Sequence, residues 1–225
     1  MKAQALHLCD QDQAVIFFSG WGMDAEPFAH WPLRHFSRDL WLVHSYHCPT
    51  DPTFLTTMKS YREIRIISWS FGVRCAWDWI NTSAAELSVT SLTAINGTLT
   101  PIHRQEGIVP SIALKTLHGL TEQTYAQFLT NMCGSLSGTF VRPKRDLQDL
   151  HKELQVLIER FCTLNKPPEI SHRLPIHAII GMHDRIFSAN AQKKSWEKIA
   201  PQSLQQLPCS HWNDNVLRSA VLHAY

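Results

Sequence analysis

The residues best placed to do chemistry are Ser68-Trp69-Ser70-Phe71-Gly72, which follow a strand-like apolar run and open a helix-like one. A serine at such a turn needs small neighbours two positions away on both sides, because the chain reverses sharply there. Gly72 meets one requirement; Ser68 stands where glycine is more usual but is still small. The turn lifts the Ser70 hydroxyl clear of the sheet, beside the N-terminal end of the following helix, where negative charge is favoured. Serine alone is a weak nucleophile near neutrality and needs a base. Residues 176–184, Ile-His-Ala-Ile-Ile-Gly-Met-His-Asp, put an acid, Asp184, just beyond a late strand, and His211 follows a last strand candidate at 203–207. In the chain order Ser70, Asp184, His211, the imidazole would take the serine proton while the carboxylate orients the ring and stabilises its charged form. Taken singly, these are a strand-to-helix turn, a loop acid or cap near Ser188, and one of thirteen histidines. Taken jointly, context and order point to a catalytic triad.

A carbonyl attacked by Ser70 becomes an oxyanion that needs two preorganised N–H donors. One would be the amide of Phe71, the residue after the nucleophile. The other would come from the glycine-flanked loop Ser19-Gly20-Trp21-Gly22-Met23-Asp24, most directly from Trp21. Other reactive types are less well supported. His44-x-x-His47 has no acidic or cysteine partner at ligand spacing, so no metal is expected. His183 reads as a loop neighbour of Asp184. Cys75 falls inside the helix after the elbow and reads as core. Arg142-Pro143-Lys144-Arg145 is a small basic cluster, either a solvated loop or a docking patch.

These residues need a scaffold that brings strand ends together. Short apolar runs at 14–18, 40–43, 64–68, 89–95 and 176–180 alternate with helical patterns at 25–36, 71–80, 189–199 and 213–223, the first with Asp24 as N-cap. That alternation predicts an α/β chain with a doubly wound, mostly parallel sheet. Between about 98 and 170 the strand signal stops. Leu147, Leu150, Leu154, Leu157, Ile158 and Phe161 form one helical stripe, and 120–132 reads as another helix with Thr121 as cap. Pro167-Pro168 and Pro175 close this stretch. The chain therefore divides into a core at 1–97 and 171–225 and a helical lid at 98–170, above the carboxyl ends of the strands.

Bulk properties agree with a globular enzyme. The 225 residues are 44% hydrophobic, enough for one sizeable core, and the formal net charge of +2 gives no nucleic-acid footprint. Six scattered cysteines form no C-x-x-C pair or zinc pattern, and no apolar run suggests a signal peptide or a membrane span. A monomer in a reducing cytosol is the expectation.

The segments Phe17-Phe18-Ser19-Gly20-Trp21-Gly22-Met23-Asp24, Ser68-Trp69-Ser70-Phe71-Gly72-Val73, Asn96-Gly97-Thr98 with Pro101-Ile102, and Gly119-Leu120-Thr121 through Phe128 to Met132-Cys133-Gly134 resemble the BioG-type pimeloyl-acyl carrier protein methyl ester esterases. More distantly, the Gly-Trp-Gly loop and Trp-Ser elbow resemble BioH-type enzymes. The resemblance runs from residue 14 to about 212. It implies an α/β-hydrolase fold that removes the methyl group from a pimeloyl ester held on acyl carrier protein, ending the elongation phase of biotin synthesis. It also implies that Ser70, Asp184 and His211 catalyse, that Trp21 and Phe71 line the oxyanion site, and that Phe128 and Met132 touch the acyl chain. No cofactor is implied. BioH-type lids carry carrier-binding arginines before this segment, whereas here Glu122 to Gln127 stand there, which leaves Arg142, Lys144 and Arg145 as candidate docking residues. Two rival readings remain: a general short-chain carboxylesterase or thioesterase, and a binding protein on a hydrolase scaffold.

Overall fold

The computed structural model describes residues 1–82, 86–162 and 174–223. Seven strands form one sheet: β1 (Lys2–His7), β2 (Gln13–Phe18), β3 (Asp39–His44), β4 (Glu63–Trp69), β5 (Val89–Ile95), β6 (Ile176–Gly181) and β7 (Leu204–Leu207), in the order β1-β3-β2-β4-β5-β6-β7. Only β1 runs antiparallel, against β3; the remaining pairs are parallel. This is the doubly wound, mostly parallel sheet expected of the α/β-hydrolase fold. The central strands are apolar because both faces are covered. Ala14 to Phe18 of β2 and Ile64, Ile66, Ile67 and Trp69 of β4 are all buried. Winding reverses between β2 and β4, which are neighbours, so the loops leaving their carboxyl ends open one crevice.

The helices are α1 (Pro52–Met58), α2 (Gly72–Thr82), α3 (Pro110–His118), α4 (Glu122–Cys133), α5 (Leu147–Cys162), α6 (Ala189–Trp196) and α7 (Asp214–Leu222). Helix α2 follows β4 directly and buries Val73, Cys75, Ala76, Trp77, Trp79 and Ile80. Among the described residues, three helices, α3, α4 and α5, lie between β5 and β6. Thr121 caps α4 through a reciprocal bond with Thr124, and α5 buries Leu150, Leu154, Leu157, Ile158 and Phe161 on one face. The proline pair at 167–168 lies outside the described residues.

Three sequence expectations change. The helix at 25–36 is instead two short 3-10 turns, Glu26–Phe28 and Leu33–His35. Pro27 and Pro32 lack amide donors, so an α-helical ladder cannot run through them. Asp24 caps no α-helix; its carboxylate accepts from the amides of Glu26 and Lys144. Strand β1 was not anticipated, because Lys2–His7 is a half-exposed edge strand without an apolar run. Helices α1 and α3 were also missed, although each has proline at its first turn, and Gly119 follows α3.

Candidate active site

Ser70 sits at the tip of the turn between β4 and α2 with φ +60°, a conformation an L-residue adopts only when its surroundings impose it. The turn is packed against β2. A Cβ on Gly72 would lie 2.3 Å from the carbonyl oxygen of Phe18 and 2.4 Å from that of Ser19, so no other residue fits there. Ser68 is accommodated inside β4, where its hydroxyl donates to the Thr93 carbonyl of β5.

Three strands deliver three side chains. His211 Nε2 lies 3.0 Å from Ser70 Oγ, and His211 Nδ1 lies 2.8 Å from Asp184 Oδ2. All three residues are buried. Asp184 leaves the end of β6 with its charge fully solvated by the protein. Oδ1 accepts from the amides of Ile186 and Phe187 at 2.7 and 2.8 Å, and Oδ2 accepts from Gln192 as well as His211. With an acid of this kind against Nδ1, the imidazole carries its proton there and presents a lone pair to Ser70. The ring is held between aromatic faces: Phe187 stacks on it with centroids 5.8 Å apart, and Trp69 lies at 5.2 Å.

The backbone that carries His211 is anchored equally firmly. Its carbonyl accepts from Trp69 Nε1 at 2.9 Å and from Asn96 Nδ2 at 2.8 Å, and Asn96 Oδ1 accepts from the Gly181 amide. From the other side, the Trp212 amide donates to Met132 at the end of α4. Among the described residues, the amides of Trp21 and Phe71 donate to no protein group, as donors awaiting an oxyanion would.

A cavity of about 540 Å³ opens beside Ser70 and His211. Its apolar walls include Trp21, Phe71, Leu154 and Ile186, with Ile108 and Ile112 from around α3 and Phe128 and Met132 from α4. Lys115 and Arg185 also line it, are exposed, and pair with no acid among the described residues.

The basic cluster does not form one exposed patch. Arg145 is a correction to the sequence expectation: its side chain is 5% exposed, and it contacts Glu153 at 2.5 Å and Asp149 at 2.6 Å. Burial opposes the Arg145 charge, but the two carboxylates outweigh it and raise its pKa. Arg142 and Lys144 stay at the surface, paired with Glu122 and Glu26. His44 and His47 do not converge on one site: His44 Nε2 meets Gln4, and His47 Nε2 meets Asp149 at 2.8 Å. His183 is exposed, and Cys75 is buried with its thiol pKa pushed up by burial.

Comparison with known proteins settles the family. A model of the family described as pimeloyl-ACP methyl esterase BioG matches residues 1–212. The chain belongs to the BioG family. A BioG structure from Haemophilus influenzae superposes with a TM-score of 0.79 at 24% identity, covering 99% of this chain and 100% of that one. A hydrolase from Pseudomonas aeruginosa follows the same fold at TM-score 0.66 and 13% identity, covering 98% and 92%. A Bacteroides fragilis protein named malonyl-[acyl-carrier protein] O-methyltransferase is 32% identical over 94% of this chain. The chain spans only 42% of that relative's length.

Within this BioG-family site, the sequence reading did not single out Gln192, Asn96 or Glu153 for roles. Gln192 and Asn96 act through bonds to partners distant in the chain. Glu153 had a local signal, since it falls among the apolar positions of α5, where an exposed acid would not stand.

Proposed function

We propose that this chain is a serine carboxylesterase that hydrolyses the methyl ester of pimeloyl-acyl carrier protein. The observation that carries the reading is the continuous contact from Asp184 through His211 to Ser70 beside an apolar cavity, with two unbonded amides, of Trp21 and Phe71, at the same place. Ser70 Oγ attacks the ester carbonyl as His211 Nε2 takes its proton, and the carbonyl electrons collect on an oxygen held by the two amides. Collapse breaks the bond to the methoxy oxygen, which leaves as methanol with the proton from His211. Water, deprotonated by the same ring, then attacks the acyl-enzyme and frees the carboxylic acid and Ser70.

The cavity suits this substrate class. An apolar cavity lined by Phe128, Met132, Ile112 and Leu154 suits a methylene chain ending in a neutral ester and disfavours the charged acid that results. Family membership supports the carrier-bound form, as does similarity to a protein named for methylating malonyl-acyl carrier protein, since a methyl ester put on a carrier-bound acid must later be removed. Lys115 and Arg185, where the cavity meets solvent, would face the acidic carrier or the phosphate of its arm. Arg142 and Lys144 have acidic partners already, and Arg145 is buried, so they are secondary to this role.

The test joins chemistry to biology. The wild-type gene should restore growth without biotin to a strain lacking its methyl ester esterase, and the purified protein should release methanol from the carrier-bound ester. Ser70→Ala should fold normally, fail in both assays and lose at least about a thousandfold in turnover. Esterase activity in the purified protein without rescue would leave a general esterase. Substantial turnover by a folded Ser70→Ala protein would remove the mechanism itself.

A further inference from the structure

The acid and base above say nothing about what holds the Trp21 amide in place, and the loop that carries it has little internal support. Within Gly20 to Met23 the structure records one bond, from the Met23 amide to the Gly20 carbonyl at 3.4 Å. Its principal ties come from α5 and the residues just before it, beside a bond from the His44 ring to the Met23 backbone. Glu153, fully buried, accepts from the Gly22 amide at 3.1 Å and from the Tyr46 amide at 2.8 Å. Arg145 contacts Glu153 at 2.5 Å and donates to the Met23 carbonyl at 3.3 Å. The Trp21 indole donates to the Leu150 carbonyl at 2.9 Å. The residues on the far side of Tyr46 are fixed too, because its hydroxyl donates to the Ser19 carbonyl at 2.6 Å.

The pattern is selective. Gly22, with φ +80°, has its amide committed to Glu153, while the neighbouring Trp21 amide has no partner among the described residues. Of two successive N–H groups, one is used to clamp the loop and the other is left for the oxyanion. A buried ion pair is also a poor choice for stability alone, because apolar residues of similar size often hold a core as well or better. Its retention here suits orientation, since a Glu153 carboxylate with three donors and a guanidinium that also holds Asp149 through Nε and Nη2 permit few alternative arrangements.

We propose that the Arg145–Glu153 pair is the positioning device of the oxyanion site, holding the Trp21 amide where charge develops, so that the helices between β5 and β6 control the chemical step as well as access to it. This rests on the esterase reading of Ser70. Neither residue touches the substrate; both act through residues 21 to 23.

The experiment replaces the pair as a unit, since removing one partner strands a buried charge and endangers folding. The Arg145→Met, Glu153→Met double variant leaves the Gly22 and Tyr46 amides without their acceptor, so its melting temperature should fall; kinetics are read well below that temperature, with circular dichroism confirming the native fold. With a small chromogenic ester, kcat should fall about 10- to 100-fold and KM should change little, as loss of a donor used only in the transition state requires. Affinity for a trifluoromethyl ketone, whose adduct with Ser70 bears an oxyanion, should fall by a similar factor, and affinity for the product acid should hold. Rescue is expected from Glu153→Gln with Arg145→Gln, which restores one acceptor, to a level between the two. Wild-type kcat in the folded Met–Met variant would overturn the proposal, as would equal losses in ketone and acid binding. A wild-type protein that neither turns over esters nor reacts at Ser70 with a fluorophosphonate would overturn the esterase reading and this inference with it. Normal wild-type turnover with an unaffected double variant would overturn the inference alone.

Discussion

Asp184→Asn offers the sharpest test of how the triad is wired, because the surrounding bonds dictate which way the new amide must face. Oδ1 of Asp184 accepts from two backbone amides, of Ile186 and Phe187. Those donors require an oxygen, so the asparagine carbonyl takes that position and its NH2 group faces His211 and Gln192. Nδ1 of His211 must then accept rather than donate, which places the ring proton on Nε2, against Ser70. A base in that tautomer cannot take the serine proton. The productive tautomer returns only if the amide flips and points its NH2 at the two backbone donors. Leaving each of those unsatisfied costs about 1–3 kcal/mol, or about 2–6 kcal/mol for the pair. At about 1.4 kcal/mol per factor of ten, the loss in kcat lies between about thirtyfold and about twenty-thousandfold. The upper end is expected, since the flipped amide adds donor-to-donor repulsion. Gln192 Nε2 donates to the Phe187 carbonyl as well as to Asp184, so turning its amide to meet the asparagine would give up that bond; some loss of stability is expected, and activity is read on the folded protein. The assay is steady-state hydrolysis of a small ester, with melting temperature and circular dichroism as controls. A well-folded Asp184→Asn variant within tenfold of wild-type kcat would refute the tautomer argument and with it the role given to Asp184.

Two further outcomes follow from the charge distribution. His44 is buried, and burial, followed by the nearby Arg145 charge, lowers its pKa to about 4 from an ordinary value near 6.5. Its neutral form is what folding favours, so this contribution is fully present above about pH 6.5 and is lost as pH falls toward 4, reaching about 2–3 kcal/mol. Urea unfolding should show stability declining more steeply between pH 6.5 and 4.5 in the wild type than in His44→Gln; parallel curves would be the contrary result. For the carrier, Lys115→Ala with Arg185→Ala should raise KM for the carrier-bound ester by up to about thirtyfold at low salt, each exposed charge contributing up to about 1 kcal/mol, and the effect should fade in high salt. A larger effect from Arg142→Ala with Lys144→Ala would move docking to that face.

What the sequence disclosed about the site depended on how local each signal is. The elbow around Ser70 is a five-residue pattern with a strand before it and a helix after it, and Asp184 closes an apolar run, so both could be read in place. The helix expected at 25–36 does not form because Pro27 and Pro32 interrupt the hydrogen-bond ladder whatever the pattern around them. Arg145 was grouped with Arg142 and Lys144 as a surface cluster because adjacent basic residues usually are solvated. Its acidic partners were nonetheless visible at helical spacing, Asp149 four residues on and Glu153 eight, with Glu153 set between Leu150 and Leu157 on the apolar stripe of α5. The contact that gives Glu153 its importance, to the Gly22 amide, spans 131 residues and leaves no local mark.

That long contact bears on how the site works as a whole. Trp21 serves two sides at once: its indole packs edge-on against Tyr125 and Phe128 of α4 and bonds to α5, while its own amide is free beside Ser70. On the proposed function, the wall of the cavity and the oxyanion donor would belong to one residue, and any shift of α4 or α5 that widens the cavity would also displace the donor. An apolar chain filling the space between Phe128, Met132 and Trp21, as the proposed substrate would, is expected to hold those helices in place through its own contacts. Binding energy from a part of that substrate remote from the reacting carbonyl would thereby be converted into alignment at the carbonyl, raising kcat rather than merely lowering KM. A short ester reaches Ser70 without that support, so discrimination for a longer chain should be expressed in turnover, through the same loop that Arg145 and Glu153 clamp.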